Sequence, residues 1–254
     1  MQFPPDIVNG TVWVVNKPLE WTSFDVVNKI RFGVNGFVRR HPELYPQYKD
    51  NQGKLGIKVG HAGTLDPLAT GVLVICVGKA ATKNIDTIQA QEKEYTGTIK
   101  LGATTPTYDS EMDPDALFPW EHITKEMALE AAQQLTGELQ QRPPIYSAVK
   151  IDGKRSYQMA RSGKDFEISP KTVTVKEFEI VDFRPPEVDF RIVCSKGTYI
   201  RSLAHDFGKH LNSGGYLTAL CRTKVGEYVI KDAVELKKII DLLTKQKEQN
   251  ETLS

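Results

Sequence analysis

Apolar and polar positions first alternate at GTVWVVNKP, residues 10 to 18, which predicts a strand that stops at Pro18. WTSFDVVNKIRFGV follows with Ser or Thr able to cap a helix and apolar residues at helical spacing, so the chain opens strand, turn, helix. From 36 to 58 no period survives, and the mixture of Arg, Lys, His, Tyr and Pro predicts a long exposed loop. GVLVICVG and EKEYTGTIKLG predict two further strands, the second placing Tyr95, Ile99 and Leu101 on one face.

Farther on, Thr124 is placed to cap a helix whose Met127, Ala128, Ala131 and Leu135 form one stripe and which Gly137 ends. Asp152-Gly153 lies between extended arms, a hairpin signal, and TVTVKEFEIVDFR alternates as a strand. FRIVCSKGTYIRSLAHDFGKHL reads as a strand, a Lys-Gly turn and a helix capped by Thr198, with Tyr199 to Arg201 in its first turn. A helix start of that kind favours anions and is a candidate phosphate contact. DAVELKKIIDLLTKQK predicts a final amphipathic helix before a polar tail. No internal repeat or break in composition divides the chain, which therefore reads as one α+β domain.

At 254 residues and 40% apolar the chain supports a sizeable core. No apolar run approaches the roughly 18 residues of a membrane helix, and MQFPPDIVNG lacks the layout of a signal peptide, so the expected location is cytoplasmic. Cys76, Cys194 and Cys221 are odd in number with no CxxC spacing, which indicates neither a disulfide framework nor a zinc site; no metal is expected. A net charge of +1 excludes a strongly basic coat but conceals segregation. Residues 109 to 138 hold eight acids against one lysine, whereas residues 142 to 176 hold eight bases against three acids. Such a pattern builds either a basic cleft beside an acidic wall or ordinary solvated faces.

The densest chemistry lies in GHAGTLDPLATGVLVICVGKAATK, residues 60 to 83. Asp66 can cap a helix beginning at Pro67, where proline fits best. A phosphate cradle is the second reading, but six residues rather than four separate Gly71 from Gly78, and Ala80 stands where Ser or Thr would hold magnesium. In the third reading Asp66 is a nucleophile on a glycine-rich loop, beside His61 and backed by a rigid strand.

GHAGTLDPLATGVL resembles the signature loop of the TruB family, the tRNA pseudouridine-55 synthases. Other blocks fall in the family's order: NKPLEWTS, EKEYTGTIKLG, RPPIYSAVKIDGKRSYQMAR, CSKGTYIRSLAHDFGKHL and YLTALCRTKVGEY. The resemblance implies the pseudouridine synthase fold, a mixed, mostly antiparallel sheet with flanking helices and a central RNA-binding cleft. It implies one catalytic domain over 1–254, with a core at about 11–234, a C-terminal helix and tail at 232–254, and no PUA domain. Residues 36 to 58 then contain most of an insertion of about twenty residues relative to bacterial members of the family.

By the same resemblance Asp66 is the catalytic carboxylate, and Arg201 lies against it to keep it ionised and oriented. Tyr95 stacks on the extruded uracil and assists proton removal at C5. Tyr199 and Leu220 line the base pocket, His61 helps hold the flipped nucleotides, and Lys17 braces the loops or touches phosphate. The reaction is an isomerisation and needs no cofactor. The implied partner is tRNA through its T-arm stem-loop, bound by a monomer with no membrane and no obligate protein partner. A tRNA-folding chaperone with secondary or lost chemistry is the alternative, and a glycoside hydrolase a weaker one for want of a second paired carboxylate.

Overall fold

Strand β1 (Thr11–Lys17) buries every second residue, so the row Thr11, Trp13, Val15 ends on an inward-facing lysine, Lys17. The structure is a computed structural model and describes residues 1–46, 56–147, 150–151, 154–156, 159 and 168–244. Helix α1 (Ser23–Arg40) starts at Thr22, whose hydroxyl accepts the amide of Asp25 while the Asp25 carboxylate accepts the amide of Thr22, a reciprocal capping box. There follow β2 (Val59–His61), β3 (Ala69–Val77), α2 (Lys79–Thr82), α3 (Ile85–Ala90), β4 (Lys93–Leu101), β5 (Ala103–Thr104) and β6 (Ala116–Leu117). Then come α4 (Lys125–Gln134), β7 (Gly137–Gln141), β8 (Lys150–Ile151), β9 (Lys154–Arg155), β10 (Lys171–Arg184) and β11 (Glu187–Cys194). The described chain closes with α5 (Ile200–His210), β12 (Gly215–Val225), β13 (Tyr228–Val229), β14 (Val234–Glu235) and α6 (Leu236–Thr244).

The chain divides into two compact units, Met1–Gln91 with Arg222–Ser254, and Glu92–Cys221. In the first unit β3 pairs antiparallel with β1, and β1 pairs parallel with β14. Both faces of β3 are covered, which explains why its sequence is a continuous apolar run rather than an alternating one. Leu73, Ile75 and Val77 pack with Val26, Ile30, Val34 and Phe37 of α1 and with Leu236, Ile239 and Leu243 of α6, while Val72, Val74 and Cys76 pack with Ala62, Ala81, Ile88 and Val225. At about 25 cal/mol per Å² of apolar surface removed from water, these layers are the main force holding the unit together.

In the second unit β4, β11, β10 and β7 run in that order, each pair antiparallel. Phe178 of β10 meets both Phe190 of β11 and Phe207 of α5, with ring centroids 6.1 and 5.5 Å apart. α4 forms as expected, with Thr124 accepting the Met127 amide and Ala128, Ala131, Ala132 and Leu135 buried. β8 and β9 pair across Asp152-Gly153, which lie outside the described residues.

Three expectations are corrected. Residues 36 to 40 continue α1 instead of opening a loop, because Phe37 and Val38 extend its buried stripe past Gly33. Tyr45 and Ile57 are also buried, and residues 47–55 of the expected loop lie outside the described ones. α5 begins after Tyr199 rather than Thr198, whose hydroxyl instead donates to the carbonyl of Ser195 at 3.0 Å. The last helix starts at Leu236, since Val234 and Glu235 extend along β1 as β14.

Candidate active site

The loop from Ala62 to Leu68 joins β2 to β3 and is fixed almost entirely through its main chain. The Asp66 carbonyl accepts the Ala69 amide at 3.1 Å, closing a turn over Pro67 and Leu68 from which β3 leaves as a strand. No helix begins at Pro67, so the capping reading of Asp66 falls. The Ser23 hydroxyl, at the start of α1, accepts the Leu65 amide at 2.8 Å and donates to the Leu65 carbonyl at 3.2 Å. The Pro67 carbonyl accepts from the Glu20 amide at 2.8 Å. Asp66 is half-buried between two pinned neighbours.

Two buried cations complete the frame. Lys17 is 0% exposed, and its ammonium donates to the carbonyls of Pro18 at 2.8 Å, Trp21 at 2.5 Å and Pro67 at 3.1 Å. The turn NKPLEWTS thus wraps the lysine that ends β1 and ties it to the Asp66 loop. Its three N–H donors are all engaged by carbonyls, so Lys17 is a brace, and the expected substrate contact gives way to that role. Burial lowers the Lys17 pKa to about 8 against the opposing pull of the Asp66 carboxylate, and the charge of Arg222 lowers it further.

Arg222 is 1% exposed and was not singled out from sequence. Its guanidinium donates to the carbonyls of Val72 at 2.8 Å, Thr64 at 3.3 Å and Gly63 at 3.0 Å, so it grips the loop from both ends. The backbone of Arg222 lies so close to Gly71 that a Cβ there would sit 2.3 Å from the Arg222 carbonyl oxygen, and Gly71 holds a φ of +99°. His61 ends β2, opposite Ile75 of β3, and burial holds its imidazole below the usual histidine value, which keeps the ring neutral near pH 7.

The second unit carries the other expected site residues. Tyr95 is buried at the middle of β4, paired with Ile192 of β11, and Leu220 lies half-buried on β12, the neighbouring strand. Tyr199 precedes α5, and the Gln141 side-chain amide spans its peptide: Gln141 Oε1 accepts the Tyr199 amide at 2.7 Å and Gln141 Nε2 donates to its carbonyl at 3.0 Å. Gln141 therefore occupies a donor that a phosphate at this helix start would otherwise use.

Arg201, 5% exposed, sits in the first turn of α5, where the helix dipole opposes a positive charge. It is held there by the carbonyls of Thr107 and Tyr146, each at 3.0 Å, and by the Asp109 carboxylate, 3.6 Å from Nε. Asp109 is itself buried, and its other oxygen accepts the Glu111 amide at 3.0 Å. Asp109, Gln141 and Ser23 join Arg222 as residues that sequence reasoning missed; Arg222 had a signal in the block YLTALCRTKVGEY, whereas Asp109 was counted only within an acidic run.

Among the described residues no group of three or more His, Cys, Asp or Glu side chains is arranged to hold a metal ion, and no helix is long and apolar enough to cross a membrane. The first unit carries the Asp66 carboxylate on a loop held by its main chain, and the second carries the Arg201 guanidinium held by two carbonyls and a carboxylate.

Residues 51–200 match the family model described as the TruB family pseudouridylate synthase N-terminal domain, and residues 201–254 match the tRNA pseudouridylate synthase B C-terminal domain. The chain is 50% identical over 233 residues to the tRNA pseudouridine synthase B of Flavobacterium johnsoniae, covering 92% of this chain and 96% of that one. It is 49% identical over 240 residues to the protein of the same name from Phocaeicola vulgatus, covering 93% and 94%. Among solved structures it is similar to a Cbf5-Nop10-Gar1 complex, with a TM-score of 0.64, 26% identity and coverage of 92% of this chain and 54% of that chain. An archaeal box H/ACA sRNP Nop10-Cbf5 complex, at 23% identity and a TM-score of 0.63, shares the fold. The chain spans about half the length of these two solved chains.

Proposed function

Because the chain belongs to the TruB family of pseudouridine synthases, we propose that it isomerises uridine to pseudouridine in tRNA, at position 55 of the T-loop. The reaction breaks the bond from uracil N1 to ribose C1′, turns the base and joins C1′ to C5. The proton lost from C5 is balanced by one gained at N1, so no redox partner or cofactor is consumed. The protein must supply an ionised carboxylate at the sugar-base junction, a positive charge that keeps it ionised, and a surface for the freed base.

Asp66 fills the first role. The observation that carries this reading is its place on a loop that begins no helix, whose main chain is gripped by Lys17, Arg222 and Ser23. A carboxylate held by such a frame loses little freedom on approaching its target, which is how preorganisation lowers a barrier. Arg201 is the opposing charge, fixed in orientation by Thr107, Tyr146 and Asp109. Tyr95 offers the uracil a face to stack on, Tyr199 and Leu220 line the pocket, and His61 helps hold the displaced nucleotides.

The target must leave its stack before Asp66 can reach C1′, and a loop nucleotide is extruded at a cost of about a few kcal/mol. Recognition then rests on the shape and unpaired bases of the T-arm and on phosphate contacts from the basic residues at 142–176 with Arg39, Arg40 and His41. The chain acts as a monomeric catalytic domain, and neutralising about five phosphates gives a log-log salt slope of roughly −3.5. The test is incubation of an unmodified T-arm stem-loop with the protein, scored for carbodiimide-reactive pseudouridine. Conversion by the native chain and its loss in Asp66→Asn is the expected result. Binding without conversion would replace this reading with that of an RNA chaperone, and free uracil among the products would replace it with a hydrolase.

A further inference from the structure

On α5, His205 lies one helical turn beyond Arg201 and on the same face. Its ring stacks on Tyr108, with centroids 4.1 Å apart and planes 15° from parallel. Tyr108 directly precedes Asp109 and has a φ of +62°, left-handed backbone that a tyrosine rarely adopts unless its surroundings hold it there. The turn around it is bonded at every step: the Tyr108 amide donates to the Thr105 carbonyl at 3.2 Å, the Leu217 amide to the Tyr108 carbonyl at 3.0 Å, and the Thr105 hydroxyl to the Asp109 carbonyl at 2.7 Å.

The Asp109 carboxylate approaches Arg201 Nε only to 3.6 Å, an ion pair beyond hydrogen-bond range. Its separation from Arg201 therefore depends on how the turn seats on α5, where the Tyr108–His205 stack acts beside the bond from Arg201 to the Thr107 carbonyl. His205 Nδ1 is buried without a hydrogen-bond partner, so that nitrogen does not hold the ring in place. Burial also keeps the imidazole below its usual pKa, outweighing Asp115, which pulls the other way, and it is helped by Lys209; a neutral ring suits a face-to-face stack.

We propose that His205 is a positioning residue: by stacking on Tyr108 it fixes the Asp109 carboxylate against Arg201 and so holds the guanidinium in its working orientation. This rests on the proposed isomerase reading. The test compares His205→Ala with His205→Phe, which keeps a flat ring but has no nitrogen. In conversion of the T-arm stem-loop, His205→Ala is expected to lower kcat by about ten-fold with KM within about two-fold, and His205→Phe to restore kcat to within about two-fold of the native chain. Introduced into Asp109→Asn, His205→Ala should cost nothing further, because both act through one carboxylate.

Crystal structures of the two variants supply a readout that needs no activity: Asp109 Oδ2 should move beyond about 4 Å from Arg201 Nε in His205→Ala and remain within it in His205→Phe. An unmoved carboxylate in His205→Ala, equal impairment of both variants, or additive losses in the Asp109→Asn background would overturn the proposal. A native chain that makes no pseudouridine would instead sink the functional reading, and the crystallographic comparison would still decide this one.

Discussion

The two units solve one problem, a buried cation, in different ways. Lys17 and Arg222 each donate to three main-chain carbonyls and so hold a loop still. Arg201 donates to two carbonyls and stands 3.6 Å from a buried carboxylate, Asp109, that offsets part of its charge. The first arrangement fixes a backbone; the second orients a side chain whose charge a neighbouring carboxylate partly balances. A difference in partners thus separates a clamp on a loop's backbone from a side chain fixed beside a carboxylate.

The largest expected effect falls on chemistry with the brace left intact. Asp66→Asn should reduce pseudouridine formation by about a thousand-fold or more while T-arm affinity stays within a few-fold, because Lys17, Arg222 and Ser23 hold the loop by its main-chain groups. Turnover near the native rate would remove Asp66 from the mechanism. Next comes the brace itself: Arg222→Met strands three carbonyls and should lower stability by about 3 kcal/mol or more, read from urea unfolding, with Asp66 still present. A loss under about 1 kcal/mol would mean that water replaces the guanidinium and that the grip is incidental.

The second unit should show what the first cannot, a coupling between side chains. A double-mutant cycle of Arg201→Met with Asp109→Leu is expected to give an interaction of about 2 kcal/mol, since either change alone leaves a buried charge uncompensated and both together do not. Additivity would place Asp109 outside the site. The smallest effect is a pH dependence from Lys17. Its pKa falls from 10.5 to about 8 on folding, so between those values the unfolded chain binds more protons and stability rises with pH; that contribution is lost as pH falls through about 8. Unfolding of the native chain and of Lys17→Met at pH about 7.5 and about 9.5 should therefore diverge by about 2 kcal/mol in favour of the native chain at the higher pH. A constant difference between them would show that the ammonium is not desolvated.

Local periodicity made most of the fold legible. β1, β3, β4, α4, β10 and β11 follow from alternation or helical spacing, because each packs a face against one layer, or two in the case of β3. Misreadings occurred where a distant partner outweighs local preference. Pro67 is suited to open a helix, yet its carbonyl is taken by Lys17 and Glu20, which holds it in a turn. Thr198 is the better cap by type, but Gln141 satisfies the Tyr199 peptide and moves the helix start by one residue. Within the site, Asp66 was legible from its loop sequence and Lys17 from the block NKPLEWTS. Arg222 was missed within a recognised block, because a carbonyl acceptor is common to every residue and leaves no mark on the sequence that receives it, and Asp109 was hidden in an acidic run.

That anonymity has an evolutionary side. A clamp that seizes peptide oxygens is indifferent to which side chains the clasped segment displays, apart from the glycines needed where Arg222 passes Gly71 and where Gly63 holds a φ of +100°. The exposed position Thr64 can therefore drift, and new specificities can be tried beside the carboxylate, without loosening the grip beneath it.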